Sequence, residues 1–169
     1  ARQAFPSWPR RPGSRYLYLD PLYTLQDDLA PTDMVLCHDV GPITHPHAYS
    51  SIVAEVYKPV YDKIARVRPS VAFVSHASKA AFIDVYGDDF PALPVIPLYI
   101  RDGIKKDREV KPVPGVTRPF FLTVGEVGTR KGQCKAIEGF ATSGLAAEGY
   151  QYVICGPSGY GCEQVEAAA

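Results

Sequence analysis

A glycine-rich, basic stretch holds the residues best suited to bind an anion. The segment VGEVGTRKGQ, residues 124–133, follows an apolar run and carries three glycines with an adjacent Arg130–Lys131 pair. A helix that starts after a parallel strand presents free N–H groups to an anion, and glycine allows close approach of the backbone. Arg130 and Lys131 would add charge that suits phosphate oxygens. The pattern predicts a phosphate-binding turn, although it matches neither G-x-x-x-x-G-K-[ST] nor G-x-G-x-x-G, and a solvated basic turn has the same composition.

A second polar stretch follows an apolar run and offers two kinds of chemistry. In CHDVGPITHPH, residues 37–47, the polar side chains are His38, Asp39, His45 and His47. One interpretation is a Zn, Mn or Fe centre, because imidazoles and carboxylates ligate these ions. The other is a polar pocket in which His38 leaves a strand end and the later histidines are surface loop residues. The prolines make the ligand spacing irregular and no second carboxylate recurs, so the pattern favours the pocket.

A third stretch, YVICGPSGYG at residues 152–161, is an apolar run that ends in three glycines. Such a turn lets a nucleotide base or ribose lie against the main chain. A plain strand-to-helix turn has the same composition, so both interpretations stay open.

The overall composition is that of a folded protein without a strong electrostatic field. The chain has 169 residues, 46% hydrophobic and 21% charged, and its formal net charge is zero. This balance gives no global attraction to nucleic acid. The charge is uneven, because four arginines precede the first acidic residue. Residues 1–15 are therefore predicted to be a flexible basic arm, with contact to an anionic acceptor or a lipid surface as the alternative.

The cysteines and the apolar runs bear on location. None of the four cysteines forms a C-x-x-C pair, which argues against a zinc knuckle and favours reduced thiols in the cytoplasm. No signal peptide opens the sequence, and no apolar run approaches the roughly 18 residues of a membrane span. We therefore expect a cytoplasmic protein.

Periodicity predicts the elements that position these groups. Before residue 101 the patterns indicate strands at 16–19, 34–37, 71–74 and 94–98, and helices at 50–67 and 75–86. Pro59 is expected to kink or split the first helix, whereas Ser75 and Gly87 are expected to cap the second.

A charged, proline-bearing stretch at residues 101–118 is predicted to link two units. After it come a strand at 119–124, a helix at about 131–147, a strand at 151–155 and the start of another helix. The strand–loop–helix alternation on both sides predicts parallel sheets covered by helices in two α/β units. Two strands are too few for a full doubly wound sheet, so we expect the chain to be part of a longer protein.

Five stretches occur in the same order as in a known enzyme family. They resemble segments of family-4 (group 1) glycosyltransferases of the GT-B fold, and they read CHDVGPITHP, FVSHASKAAFIDVYG, VIPLYI, PFFLTVGEVGTRKGQCKAIEGFA and YVICGPSGYG. The resemblance implies a GT-B-like α/β fold, with parts of two Rossmann-like parallel-sheet domains joined by a linker. Residues 1–100 would be the C-terminal part of the acceptor-side domain, 101–118 the linker, and 119–169 the first part of the donor-binding domain.

The resemblance implies a donor diphosphate site in the second domain. Lys131 matches the family lysine that contacts the diphosphate, Arg130 precedes it as a second contact, and Gly125 matches the glycine that follows the strand. Many family members have an arginine where this chain has Glu126, and a carboxylate there would repel phosphate unless it is paired.

Four further positions gain roles from the resemblance. His38, with Asp39 beside it, falls at the strand end near the donor sugar and is expected to be catalytic by orienting that sugar. Gly156 and Pro157 fall near the nucleotide base.

The implied activity is that of a retaining glycosyltransferase, a hexosyltransferase of polysaccharide biosynthesis. It would move a sugar, with mannose as one candidate, from a nucleotide-diphosphate sugar to a glycan or lipid-linked acceptor. No metal, no other cofactor and no nucleic acid is implied, and a peripheral contact with the inner face of the membrane is left open. The alternatives are a metal-dependent hydrolase using His38, Asp39, His45 and His47, and a fragment without activity of its own.

Overall fold

The computed structural model describes residues 10–99 and 112–169. They fall into two compact units, an N-terminal unit that ends at residue 101 and a C-terminal unit that begins at residue 102. Each contains a small parallel sheet with helices, so the predicted α/β class with parallel strands is confirmed. Residues 101–111 of the predicted linker and residues 1–9 of the predicted arm lie outside the described residues.

The N-terminal unit is built on a three-stranded sheet in the order β1–β2–β3. The strands are β1 (Leu17–Tyr18), β2 (Met34–Cys37) and β3 (Ser70–Phe73), and the helices are α1 (Gly41–Thr44), α2 (Ser51–Val67) and α3 (His76–Tyr86). Short 3-10 turns cover Pro21–Leu25 and Pro46–Ala48. The strand predicted at 34–37 is confirmed in full, whereas the predicted loop 38–47 contains α1 and a 3-10 turn.

The core of this unit lies between the sheet and the two long helices. Alternate residues of β2 and most of β3 are buried, which agrees with a parallel sheet covered by helices. Helix α2 buries Val60, Tyr61 and Ile64 on one face, and α3 buries Phe82. Both helices begin as predicted, because the Ser50 and Ser75 hydroxyls accept hydrogen bonds from N–H groups of their first turns.

Pro59 lies inside α2 and does not split it. Its missing N–H would have bonded the carbonyl of Glu55, and both residues are exposed. Water can therefore bond that carbonyl, which lets the helix continue on its solvent side.

The strand predicted at 94–98 is reduced to one parallel bridge between Val95 and Phe73. The N–H of Phe73 donates to the carbonyl of Pro94 over 2.9 Å, and the N–H of Ile96 donates to the carbonyl of Phe73 over 2.7 Å. Pro94 faces β3 and has no N–H to donate to the carbonyl of Val71, so the ladder does not extend towards the start of this segment.

Arg10, in the predicted basic arm, is held by a buried carboxylate. Its Nη2 and Nη1 atoms bond Oδ1 and Oδ2 of Asp33 at 2.5 and 2.8 Å. The guanidinium also lies 4.9 Å from the ring centroid of Tyr16. Burial by itself would raise the pKa of Asp33, but hydrogen bonds from Arg10 and from the N–H groups of Ala30 and Tyr16, with the guanidinium charge, lower it below its usual value.

The C-terminal unit pairs two parallel strands, β4 (Phe120–Val124) and β5 (Gln151–Cys155), along their whole length. Its helices are α4 (Gln133–Thr142) and α5 (Cys162–Ala168), and a 3-10 turn covers Thr129–Lys131. Helix α4 covers one face of the sheet, where the Phe140 ring lies 6.3 Å from Phe121 and 5.8 Å from Tyr152 between centroids. The opposite face carries Phe120, Leu122 and Val124, which are exposed.

Helix α4 is shorter than the predicted span of 131–147. It begins after Gly132, whose left-handed conformation departs from the helix, and it ends at Thr142. Ser143 and Gly144 then turn the chain, because the Ser143 hydroxyl accepts from the N–H of Leu145 and Gly144 has a positive φ.

In residues 10–99 and 112–169 no helix is both long enough and apolar enough to cross a membrane.

Candidate functional site

Two glycine-bearing segments follow the carboxyl ends of β4 and β5 and run side by side. We call residues 125–132 the first glycine loop and residues 156–161 the second glycine loop. The N–H of Gly125 donates to the carbonyl of Cys155 over 2.9 Å, and the N–H of Val127 donates to that of Pro157 over 2.8 Å. A parallel bridge joins Val127 to Ser158, so the two loops continue the pairing of the strands.

Three glycines permit this close approach of the two loops. A Cβ at Gly156 would lie within 3.0 Å of the carbonyl of Gly125, and one at Gly128 would lie 2.5 Å from the carbonyl of Tyr160. A Cβ at Gly161 would meet the side chain of Thr129 at 2.6 Å. These glycines therefore have a packing role within the unit.

Gly125 and Gly132 differ from these three, because each has open space where a Cβ would stand. Their φ angles are +146° and +69°, which other residues rarely adopt. Neither position is filled by a neighbour within 4 Å. The first glycine loop is thus open on the Cβ side of its backbone at both of its ends.

The predicted basic pair stands between these two open positions. Arg130 and Lys131 are exposed and lie on the 3-10 turn Thr129–Lys131, directly before α4. Helix α4 starts two residues later than Lys131, and its N-cap Gly132 supplies no side-chain hydrogen bond. The first N–H groups of α4 are therefore uncapped by the residue that precedes them.

Glu126, which departs from the family pattern, is exposed and its side chain lies against the second glycine loop. A Cβ at Gly159 would meet the Glu126 carboxyl at 2.5 Å. The side chain thus extends towards the second loop.

Gln133 is a polar residue of this site that sequence reasoning missed. Its side chain is buried, with Oε1 accepting from the N–H of Gly128 over 2.8 Å and Nε2 donating to the carbonyl of Glu126 over 3.3 Å. One signal was available, because Gln133, Ile137 and Phe140 share the spacing of a buried helix face.

In the N-terminal unit, His38 and Asp39 leave the carboxyl end of β2 as predicted. Three neighbours fix their backbone and the imidazole. The Tyr61 hydroxyl donates to the carbonyl of Asp39 over 2.6 Å, and the Ser78 hydroxyl donates to that of His38 over 2.7 Å. His38 Nε2 lies 3.1 Å from the carbonyl of Leu19, so it carries the proton in this contact. Both side chains remain exposed.

The Asp39 carboxylate has a local role as well. Its Oδ1 accepts from the N–H of Gly41 over 2.7 Å, which starts the turn into α1. The second carboxylate oxygen has no such bond to the backbone of α1, so the group retains acceptor capacity.

Burial keeps the groups beneath this segment neutral. It raises the pKa of the Cys37 thiol to about 12, and the thiol lies 3.3 Å from the Tyr61 hydroxyl. Burial, with the charges of Asp20 and Asp39, raises the pKa of Tyr57 to about 12. Both groups are therefore hydrogen-bonding neutral groups at physiological pH.

The later histidines of this stretch do not join His38 in a ligand set. His45 and His47 are exposed, and their ring centroids lie 6.1 Å apart. His45 Nδ1 is 2.8 Å from the Thr44 hydroxyl. Among the described residues, no three His, Cys, Asp or Glu side chains are grouped so that they could hold a metal ion.

The structure brings the predicted residues together within each unit. Gly125 contacts Gly156 through the paired loops, Arg130 and Lys131 stand on the same loop as Gly125, and His38 and Asp39 are adjacent. Comparison of the chain with protein-family models, curated proteins and solved structures found no match.

Proposed function

We propose that this chain carries the nucleotide-binding part of a retaining glycosyltransferase of the GT-B fold. The donor would be a nucleotide-diphosphate sugar, with mannose as one candidate sugar, and the acceptor a glycan or a lipid-linked sugar. The two units would be parts of its two Rossmann-like domains, and four free cysteines suit a reducing compartment such as the cytoplasm.

One observation carries the proposal. The exposed Arg130–Lys131 pair lies between Gly125, which has open space on its Cβ side, and the uncapped start of α4, at the carboxyl edge of two parallel strands. Ligands of parallel α/β sheets bind at this edge. The combination of free N–H groups, a lysine and an arginine suits a diphosphate.

The same groups supply a way to accelerate sugar transfer. Departure of the nucleoside diphosphate places growing negative charge on the phosphate that leaves the sugar. Lys131 and Arg130 would bind that charge more tightly as it develops, which lowers the barrier. Same-face attack would let the leaving phosphate accept the proton of the acceptor hydroxyl.

His38 and Asp39 would act on the sugar rather than on the phosphate. With its Nε2 proton directed to the carbonyl of Leu19, His38 keeps the other ring nitrogen as an acceptor for a sugar hydroxyl. This assigns the pair an orienting role and not that of a nucleophile.

Calorimetric titration of the 169-residue chain with GDP and with UDP tests the diphosphate role. Lys131→Ala is expected to weaken binding about 10- to 100-fold, the loss of one charged hydrogen bond. Arg118→Ala is the control, because Arg118 is also exposed and cationic but lies two residues before β4, at the end of the sheet opposite the glycine loops. It should change affinity by less than about twofold, since an exposed charge away from the phosphate contributes little.

Two results would refute the assignment. Equal losses in Lys131→Ala and Arg118→Ala would mean that net charge, and not position, governs binding. Unchanged affinity after Lys131→Ala would remove this lysine from the site.

A further inference from the structure

The side-chain amide of Gln133 stands where a third parallel strand would pair with the first glycine loop. In a parallel bridge, the partner residue donates its N–H to the carbonyl before the bridged residue and accepts from the N–H after it. Gln133 Nε2 donates to the carbonyl of Glu126, and Gln133 Oε1 accepts from the N–H of Gly128. Its carboxamide thus pairs around Val127 as a backbone peptide group would.

The opposite side of Val127 faces the second glycine loop. Its N–H donates to the carbonyl of Pro157 over 2.8 Å, and its own carbonyl accepts from the N–H of Gly159 over 2.8 Å. The segment 126–128 is therefore hydrogen-bonded on both edges, by main chain on one and by Gln133 on the other. Removing the Gln133 carboxamide would break the hydrogen bonds on one edge of this segment and leave those to the second glycine loop in place.

We propose that Gln133 is a positioning residue, which holds the first glycine loop and so directs Arg130 and Lys131 towards a diphosphate. This role towards the ligand rests on the proposed function. The residue touches no reacting group itself, because its side chain is buried beneath the loop. It acts through Gly128, which stands directly before the 3-10 turn that carries the basic pair.

Few side chains can replace Gln133 in this position. Methionine has a similar length but forms no such pair of bonds. Glutamate provides the acceptor for the N–H of Gly128 at any pH, but it provides a donor for the carbonyl of Glu126 only when its carboxyl is protonated. Burial raises the pKa of a carboxyl introduced there, which brings this protonation towards accessible pH.

The test combines amide hydrogen exchange with GDP titration of the 169-residue chain and its Gln133→Met variant. The Gly128 amide should exchange at least ~10-fold faster in the variant, because it loses its acceptor, while the Val127 amide stays protected as an internal control. GDP affinity should fall about 10-fold. In the double variant with Lys131→Ala, the affinity should be close to that of Lys131→Ala alone, since the two residues act through one contact.

Gln133→Glu provides a second variant with a readout that loss of stability would not produce. Its GDP affinity, relative to the wild-type chain at the same pH, should recover as pH falls and the introduced carboxyl becomes a donor. A ratio that stays flat between pH 8 and pH 5 would overturn the proposed pairing, provided that the variant is folded at both ends of this range.

The remaining outcomes separate this inference from the proposed function. If the wild-type chain binds GDP and Gln133→Met binds it equally well, the positioning role is overturned and the proposed function stands. If the wild-type chain binds neither GDP nor UDP, the proposed function is overturned. In that case, hydrogen exchange of the Gly128 amide alone tests whether Gln133 holds the loop. An exchange rate that is unchanged in Gln133→Met would overturn this structural role as well.

Discussion

Replacing Gly156 by alanine tests the contact between the two glycine loops most directly. A Cβ there would enter the space of the Gly125 carbonyl, at less than 3.0 Å. Gly156 is not among the glycines with positive φ, so its backbone conformation suits alanine and only the contact opposes the change. Because the neighbouring atoms are backbone, they cannot move aside as a side-chain end would.

The expected cost follows from overpacking against a rigid neighbour. Added methyl groups in tight contacts destabilise proteins by about 1–3 kcal/mol, and we expect the upper half of this range for Gly156→Ala. Gly139→Ala is the matched control, because Gly139 lies inside α4 with nothing within 4 Å of its added Cβ. That change should stabilise the unit by roughly 0.5–1 kcal/mol, since alanine is the better helix former.

Gly159→Ala completes a graded series. Its added Cβ would meet the Glu126 side chain from Cγ to the carboxyl, and this side chain, unlike a backbone neighbour, is exposed and can change rotamer. We expect a cost below about 1 kcal/mol, because Glu126 can rotate away at the expense of one rotamer preference.

Urea unfolding followed through the amide signals of β5 is the appropriate measurement. The chain has two compact units that can unfold separately, so a probe within the C-terminal unit is needed. From most to least stable, the expected order is Gly139→Ala, wild type, Gly159→Ala and Gly156→Ala. A Gly156→Ala variant within about 0.5 kcal/mol of the wild type would refute the backbone-to-backbone contact of the loops.

Three further predictions concern the N-terminal unit and the thiols. Because the pKa of Asp33 is lowered in the folded state, its stabilising effect should be complete above about pH 4 and lost as pH falls through that lowered pKa. Asp33→Asn should lower the free energy of unfolding by ~1–2 kcal/mol at pH 7 and flatten its dependence on acid pH in urea unfolding. Tyr61→Phe should destabilise the unit by about 1–2 kcal/mol in the same assay, because the carbonyl of Asp39 loses its hydroxyl donor. An aromatic disulfide reagent at pH 8 should modify exposed Cys155 in the folded chain but reach Cys37 only on unfolding, as peptide mapping of the labelled thiols would show.

Much of the architecture was predictable because its signals are local. Strand β5 has the predicted bounds, and Ser50 and Ser75 begin their helices where capping chemistry places them. These elements rest on apolar runs and on side chains that bond their own first turn, which depend on neighbours in sequence alone.

The structure differs from the sequence predictions where contacts with residues distant in sequence determine the conformation. The bridge at Val95 is limited by Pro94, which has no N–H to donate to β3, and Arg10 is fixed by a carboxylate of the segment before β2. Gln133 was overlooked because its partners, Glu126 and Gly128, become neighbours only when the loop folds back over the start of α4. Periodicity identifies the buried face of a helix, but it does not show that a polar side chain on that face hydrogen-bonds a loop as a neighbouring strand would.

The joining of the two glycine loops by main chain has a consequence for how this surface can change. Peptide groups and missing Cβ atoms fix the shape, whereas the side chains of Arg130, Lys131 and Ser158 are exposed. Substitution of an exposed side chain therefore alters what the surface recognises while leaving its framework intact. A library randomised at these exposed positions, with the glycines kept, should yield mostly folded variants that differ in ligand preference.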